Sequence, residues 1–251
     1  MRRALAPLLL LTLLFACGLW QPWDPDAVNV LARHAAPDIA HPLGTDHLGR
    51  DLLSRLMAGG FRTGIVILAV GLLGLTGGAL LGTLAAVLGG WREKLILKAS
   101  QLFIMVPTLI VALTAAAVFG LSPFSAGVAL GLAAIGPLAL FAHMLTKRVL
   151  CQPFIMAADA IGVSSATMLF RHLLPNTLPT LLTYVGNQSG AAAIAYASLA
   201  FIGLGADPSL PDWGGMLFEY RMFLFDNPML IAWPALALGA TVFVFNRTFD
   251  R

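Results

Sequence analysis

The chain has 251 residues, 59% of them hydrophobic and only 11% charged, with a formal net charge of +3; ordinary soluble domains carry about 25% charged residues. A soluble protein of this size cannot hide so much apolar surface, because its shell needs polar side chains, so the expected solvent is a bilayer. Cys17 and Cys151 are too few and too far apart for a disulfide framework or a zinc site, and no basic stripe with interleaved aromatics suggests nucleic acid.

A bilayer core of about 30 Å takes about 20 apolar helical residues. Runs of that kind fall at 4–20, 64–90, 100–121, 124–145, 177–204 and 228–245. The predicted fold class is therefore all-α, a polytopic membrane protein of six transmembrane helices, since backbone polar groups in lipid must pair within the segment. The alternation of a β-barrel strand is absent. The first run follows Arg2 and Arg3 and also has the shape of a signal peptide. Leu14-Phe15-Ala16-Cys17 even resembles a lipoprotein cleavage box, which the bulky Phe15 fits poorly. With everything downstream membrane-embedded, an uncleaved first span is the reading adopted.

An even number of spans puts both termini on one side. That side holds Arg2, Arg3, Arg92, Lys94, Lys98, Lys147, Arg148, Arg171, Arg247 and Arg251 with Glu93, Asp159 and Asp250, ten basic against three acidic residues or +7. The other holds Arg33, Arg50, Arg55, Arg62 and Arg221 against nine acidic residues, or −4. The basic side is expected to be cytoplasmic. All 12 acidic residues lie outside the six runs, as the cost of a carboxylate in hydrocarbon requires. Two regions are expected: an N-terminal helix with a periplasmic segment at 1–60, and a five-helix core at 61–251 with a cytoplasmic loop at about 150–176.

In chain order, the first polar stretch is His41-Pro42-Leu43-Gly44-Thr45-Asp46-His47-Leu48-Gly49-Arg50-Asp51, just before the second span. Gly44 and Gly49 permit tight turns. Asp46, Arg50 and Asp51 can pair and cap the helix that opens at Leu52. The reading is a structural knot that orients the second helix, with direct substrate contact as the alternative. Within that helix Gly74, Gly78, Gly82, Ala86 and Gly90 recur at every fourth position and line one face, the pattern of close helix packing. His143 lies near the inner end of the fourth span, where an imidazole must face protein or a water-filled path. His34, His41, His47 and His172 are scattered, and no metal site is expected.

The second stretch is cytoplasmic: Met156-Ala157-Ala158-Asp159-Ala160-Ile161-Gly162, then Phe170-Arg171-His172-Leu173-Leu174-Pro175-Asn176. A short Ala-rich helix broken at Gly162, and a second helical piece that stops before Pro175, would form a hook more apolar than a cytoplasmic loop needs. Such a surface suggests a protein docking site. The third stretch, Phe201-Ile202-Gly203-Leu204-Gly205-Ala206-Asp207-Pro208 and Pro211-Asp212-Trp213-Gly214-Gly215-Met216, returns the chain to the outer face, with Trp213 and Tyr220 as interface aromatics.

Together the three stretches, in order from about Trp23 to Asn246, resemble the smaller permease subunit of the dipeptide, oligopeptide and nickel branch of bacterial ABC importers. Gly44-Thr45-Asp46, two residues, then Gly49-Arg50-Asp51 is a pattern specific to that branch. The hook resembles the Glu-Ala-Ala loop, the element that sits in a cleft of the ATPase; Ala157, Ala158, Gly162, Leu174 and Pro175 fall on its motif positions. Three features depart from the family pattern. Met156 stands where the loop has its glutamate, Phe141-Ala142-His143 where the family often has Tyr-Ala-Arg, and the sequence reaches Arg251 without the longer charged tail. The resemblance implies a type I ABC importer permease, multi-pass in the inner membrane. Its implied partners are a second homologous permease, two cytoplasmic ATPase subunits and a periplasmic substrate-binding protein. ATP and Mg would be bound by the ATPases, with no cofactor in this chain. The cargo would be a short peptide, nickel or a metal chelate. His47 beside Asp46 and the run through Met57 lean toward the nickel or metallophore type.

No Gly-x-x-x-x-Gly-Lys-Ser/Thr phosphate loop is present, so ATP hydrolysis would need another subunit. Zinc-protease and nucleophile-elbow signatures are also missing. Gly203-Leu204-Gly205-Ala206-Asp207 and Gly162-Val163-Ser164-Ser165 only faintly resemble intramembrane protease motifs. The rival classes are an ion-driven secondary transporter and an intramembrane enzyme. Ion-driven carriers usually keep ionisable groups at mid-membrane, of which these runs hold almost none, and the lack of intramembrane carboxylates counts against an enzyme.

Overall fold

The computed structural model describes residues 5–204 and 209–249. Among them every regular element is helical, and the nearest approach to a sheet is one isolated bridge between Thr45 and Asp51. The chain forms two compact units. One comprises Met1–Leu68, Ala112–Gly127 and Ser189–Arg251, the other Ala69–Val111 and Val128–Gln188.

Helix α1 (Leu5–Leu19) ends ahead of a Pro-containing segment, Pro22 and Pro25, that cannot continue it. Helix α2 (Leu52–Leu88) opens where Asp51 Oδ2 accepts from the backbone N–H of Ser54 at 2.7 Å, a side-chain N-cap. It contains a π turn at Gly74–Ala79 and ends at Gly89. Helices α3 (Gly90–Met105) and α4 (Thr108–Phe119) meet at 74°. The expected third span, 100–121, is thus two helices. Pro107 is the reason: it pushes Val106 to φ −88°, ψ 120°, out of the helical region. A hydropathy window reads composition and is blind to that restriction.

Helix α5 (Pro123–Leu150) starts with Pro at its first position behind a Ser122 hydroxyl that accepts from Ser125 N–H at 3.0 Å. Helix α6 (Pro153–Ala160) follows. A short helical piece, Ser165–Thr167, then passes through a π turn, Met168–Leu173, into α7 (Leu174–Phe201). Pro175, expected from sequence to stop a helix, does not; it lies directly after the π turn within a continuous helical run, where it only removes one backbone donor. Helix α8 (Trp213–Tyr220) is capped by Asp212, whose Oδ1 accepts from Gly215 N–H at 2.8 Å. Helix α9 (Met229–Phe249) follows. The six expected spans all fall on helical segments. Helices α2, α5 and α9, taken over Met229–Thr248, are long and apolar enough to cross a membrane, and the bent α3–α4 pair passes as one span.

In the first unit Leu14, Leu52, Trp213, Met216, Tyr220 and Leu230 form one apolar core, and Ile67, Ala193 and Phe245 another. In the second, Ala79, Leu138, Ala142, Leu181 and Val185 cluster. The small stripe of α2 serves close packing there. A Cβ on Gly78 would lie 2.8 Å from the Ile135 carbonyl, and one on Gly82 2.0 Å from that of Ala139. Gly90 takes no part, having positive φ and open space around it. Gly82→Ala is expected to cost about 1–3 kcal/mol by overpacking and lower the melting temperature in detergent. Gly239→Ala in α9, where a Cβ meets nothing within 4 Å, should leave it unchanged or raised.

Candidate functional site

The outer stretch folds as a buried ionic knot within the first unit. Gly49 has φ +77°, and a Cβ there would lie 1.8 Å from the Asn29 carbonyl oxygen, so only glycine fits. A Cβ on Gly44 would meet the Ala35 carbonyl at 2.5 Å. The Thr45 hydroxyl donates to the Ala32 carbonyl and accepts from Ala35 N–H. Asp46 is the hub. It accepts from the backbone N–H of Leu48 and Arg50 at 2.8 and 3.0 Å, from Arg50 Nε at 2.7 Å and from the Tyr220 hydroxyl at 3.1 Å. Arg50 Nη2 also donates to Glu219. Arg55 donates from Nη2 to Glu219 Oε2 at 3.0 Å, from Nε to the Tyr220 hydroxyl at 3.1 Å and from Nη1 to the Pro25 carbonyl at 3.2 Å. Asp51, besides capping α2, accepts from His41 Nδ1 at 2.9 Å. Arg50, Arg55, Asp46 and Tyr220 are all at most 2% exposed.

The pairing that sequence placed among Asp46, Arg50 and Asp51 is thus present, but half of the knot was missed. Glu219 and Tyr220 close it from 169 and 174 positions away along the chain, a distance at which no local spacing signals contact. Trp213 and Tyr220 are not interface aromatics. Trp213 is 4% exposed and lies against Gly59, its Nε1 donating to the Leu56 carbonyl at 2.9 Å; Tyr220 is fully buried. The part of the third stretch at 205–208, with Asp207, lies outside the described residues, as do Arg2, Arg3, Asp250 and Arg251.

Burial alone would raise the Asp46 carboxyl, yet Arg50, the two backbone donors and Arg55 hold it below its ordinary value. Burial lowers His47, outweighing the attraction of Asp46 and Glu219. The donor atoms of Asp46, His47 and Glu219 lie within 4.8 Å of one another, close enough to hold an ion. Their carboxylate oxygens are already matched by Arg50 and Arg55, and a cation would have to displace both guanidinium groups. His47 stacks on Phe223 at 4.9 Å. His47 is thus packed into the knot.

In the second unit His143 faces protein. Its Nε2 lies 2.6 Å from Glu93 Oε1, and Lys147 Nζ is 3.1 Å from Glu93 Oε2. The hook keeps the expected helix, with Gly162 at φ +76° turning the chain. Ala158 is buried. Met156, Ala157, Asp159, Gly162 and Pro175 are exposed, while His172 and Leu174 are half-buried. Phe154, Ile161 and Phe170 add exposed apolar surface beside them.

Residues 78–251 match the family described as the binding-protein-dependent transport system inner membrane component. The chain belongs to that family. It is 32% identical over 245 residues to the probable D,D-dipeptide transport system permease protein DdpC of Escherichia coli, covering 94% of this chain and 81% of that one. It is 32% identical over 255 residues to the glutathione transport system permease protein GsiD of Pectobacterium atrosepticum, with 98% and 84% covered. It is 31% identical over 234 residues to the nickel transport system permease protein NikC of Escherichia coli, with 92% and 83% covered. The chain is thus an ABC importer permease subunit of the type I fold, a multi-pass membrane protein that works with ATPase and substrate-binding components and is not itself the enzyme.

Two ways of breaking the knot should give one result. Arg50→Ala leaves Asp46 buried without its main partner, at an expected cost of about 3–5 kcal/mol, read as a lower melting temperature. Acidification does the same by protonation. Both His47 and Asp46 have folded pKa values below their ordinary values of 6.5 and 3.8, so the folded state binds fewer protons and stability falls with pH. The His47 contribution is complete above 6.5 and starts to fall there; that of Asp46 falls below 3.8. His47→Gln should remove the first step of a melting-temperature profile and keep the second. The charged groups acting on His47 are Asp46, Glu219, Arg50 and His34.

Proposed function

We propose that this permease forms the translocation path with a second, homologous permease, and that two ATPase subunits dock on the 150–176 segments of the pair. A periplasmic binding protein delivers a short peptide, nickel or a metal chelate to the outer face. ATP and Mg belong to the ATPases. The observation that carries this reading is the hook. It is a helix, a glycine turn and a second helical piece presenting Phe154, Met156, Ile161 and Phe170 to solvent at 45, 64, 82 and 68% exposure. An apolar face on the basic side of a membrane protein suits burial in a partner. With Met156 in place of a carboxylate, contact area and shape replace an ion pair there. Nucleotide binding would then bias a two-state, rigid-body opening of the path.

Gly162 tests the docking. Its φ of +76° and the empty space around a Cβ mean that the isolated chain accepts Asn, a residue tolerant of that conformation. Gly162→Asn and Gly162→Leu are both expected to insert normally but to lose uptake and ATPase co-purification. Asp159→Asn should change uptake less than about twofold, since an exposed charge contributes little. Normal uptake with Gly162→Leu at normal expression would sink the docking assignment.

The charge split motivates an orientation with both termini cytoplasmic. Ile39 and Ile161 are both strongly exposed. On a background lacking Cys17 and Cys151, Ile39→Cys should react with an impermeant thiol reagent in intact cells, and Ile161→Cys only after the membrane is opened. The reverse pattern would invert the topology.

A further inference from the structure

Helix α3 carries two unlike faces. It holds one acidic residue, Glu93, against Arg92, Lys94 and Lys98. Glu93 and Ser100 stand two turns apart and so share a face. That face packs on α5. Glu93 meets His143 and Lys147 there, and Ser100 is buried, its carbonyl oxygen 2.6 Å from where a Cβ on Gly136 would stand. The opposite face carries Trp91, Lys94, Leu95, Lys98, Leu102 and Met105, spaced at the three- and four-residue steps of one helix side. All six are exposed, Trp91 at 70% and Leu102 at 65%. Arg92 borders this face, its guanidinium carbon 5.8 Å from the centre of the Trp91 ring.

The cations on the open side have no counter-charge within the chain. The acidic residues nearest to Glu93 in sequence are Asp51 and Asp159. Among the described residues no ion pair involves Arg92, Lys94 or Lys98. Glu93 itself is held on the packed face. Helix stability does not account for these cations, since Arg92 in the first turn and Lys94 just after it meet the positive end of the helix dipole. The bias of basic residues toward one side of a membrane accounts for their number, but not for their gathering beside an exposed tryptophan. The rest of the face is apolar. Leu102 and Met105 continue it into the expected apolar run that begins at 100, so the face passes from an interfacial aromatic into hydrocarbon. Lys98 lies about 10 Å along the axis from Trp91 at ~1.5 Å per residue, and its four-carbon stem can lie back along that surface to the charged layer. An interfacial ring, clustered cations and an apolar surface beneath them match a phospholipid, with its phosphate on the cations and its acyl chains on Leu102 and Met105. The uncompensated charge selects an anionic headgroup.

We propose that the Trp91, Lys94 and Lys98 face of α3, with Arg92 at its border, binds the anionic headgroup of a membrane phospholipid. The contact needs only the membrane placement established above; its leaflet rests on the proposed orientation, which the Ile39→Cys and Ile161→Cys labelling decides separately. The test uses the complete transporter with its ATPase and binding-protein components, reconstituted in phosphatidylcholine vesicles. These contain a minor fraction of either brominated phosphatidylglycerol or brominated phosphatidylcholine, whose bromine quenches an indole it touches. The Trp91 signal is the difference between the unsubstituted transporter and Trp91→Phe. The phosphatidylglycerol should associate about fivefold more tightly than the phosphatidylcholine. Lys94→Gln combined with Lys98→Gln should bring that ratio below about twofold. Arg247→Gln, at an exposed basic residue of α9, should leave it unchanged. A ratio near one in the unsubstituted protein, or one that survives the double substitution, would overturn the proposal. An equal fall with Arg247→Gln would show diffuse surface charge and overturn it as well. No quenching of Trp91 by either lipid would show that protein covers the face. Loss of the ratio in sodium phosphate, but not in sodium chloride of equal ionic strength, would assign the cations to a soluble anion in place of a lipid. Failure of the ATPase to co-purify would count against the permease arrangement and not against the lipid contact.

Discussion

A polar group that leaves water must find a partner in the protein, and inside a bilayer no solvent relaxes that demand. The hydroxyls on the long helices show the mildest solution. Thr76, Ser100, Thr177, Ser198 and Thr241 each donate to the carbonyl four residues back, at 2.6 to 3.0 Å. The side chain is satisfied by its own helix and needs no neighbour. Charged groups cannot be treated so locally. The carboxylates stay out of the apolar runs, and Glu93, close to one, is met by both His143 and Lys147.

The knot is the costliest case, because two guanidinium groups are almost completely buried there. Arg50 and Arg55 share Glu219, and Asp46 meets Arg50 directly while sharing the Tyr220 hydroxyl with Arg55. A buried pair of this kind is weak evidence for net stability, since desolvation offsets most of the attraction. Its directional bonds do more for geometry. They hold the 44–51 loop, the first turn of α2 and the end of α8 in one register, and the Trp213 ring against Gly59 fixes α8 from its other end. That is a reason for direct bonds in place of an apolar core: an apolar contact slides, a bidentate guanidinium does not.

The same distinction explains what could be read without coordinates. The Asp51 cap, the Asp46–Arg50 pair, the Gly162 turn and the close approach along Gly78 and Gly82 are set by residues a few positions apart, or by a face on one helix, and local spacing exposes them. Glu219 and Tyr220 could not be found that way, because their partners lie elsewhere in the chain. Trp213 and Tyr220 misled for a related reason: aromatics near span ends favour the membrane interface on average, but these two fill the core under the knot. Pro107 and Pro175 show how one residue type gives opposite results. At Pro107 the preceding residue is forced out of the helix, and the span breaks. At Pro175 the ring sits just after the π turn, inside a run that stays helical from Ser165 to Phe201, and the helix loses one backbone donor there without ending.

That placement of Pro175 bears on how a docked ATPase would act. Had a helix ended there, the hook would be joined to the next span by a loop, and loops absorb displacement. Instead the piece from Ser165 passes through the π turn at Met168–Leu173 into α7 without a break. Leu173, 2% exposed, anchors the junction, while Phe170 one turn earlier stays open to a partner. A displacement at Phe170 is then passed to α7 through a helical run in which Pro175 and Pro179 each lack a backbone donor. A helix resists bending far more than it resists rotation as a body, and close-packed contacts tend to have discrete arrangements. The π turn at Met168–Leu173 and the prolines just after it, Pro175 and Pro179, are where the ladder is least regular, so they are where a change of angle between hook and α7 would be taken up. On the proposed docking, the segment that receives the push from the ATPase runs directly into α7, so no flexible loop stands between hook and helix.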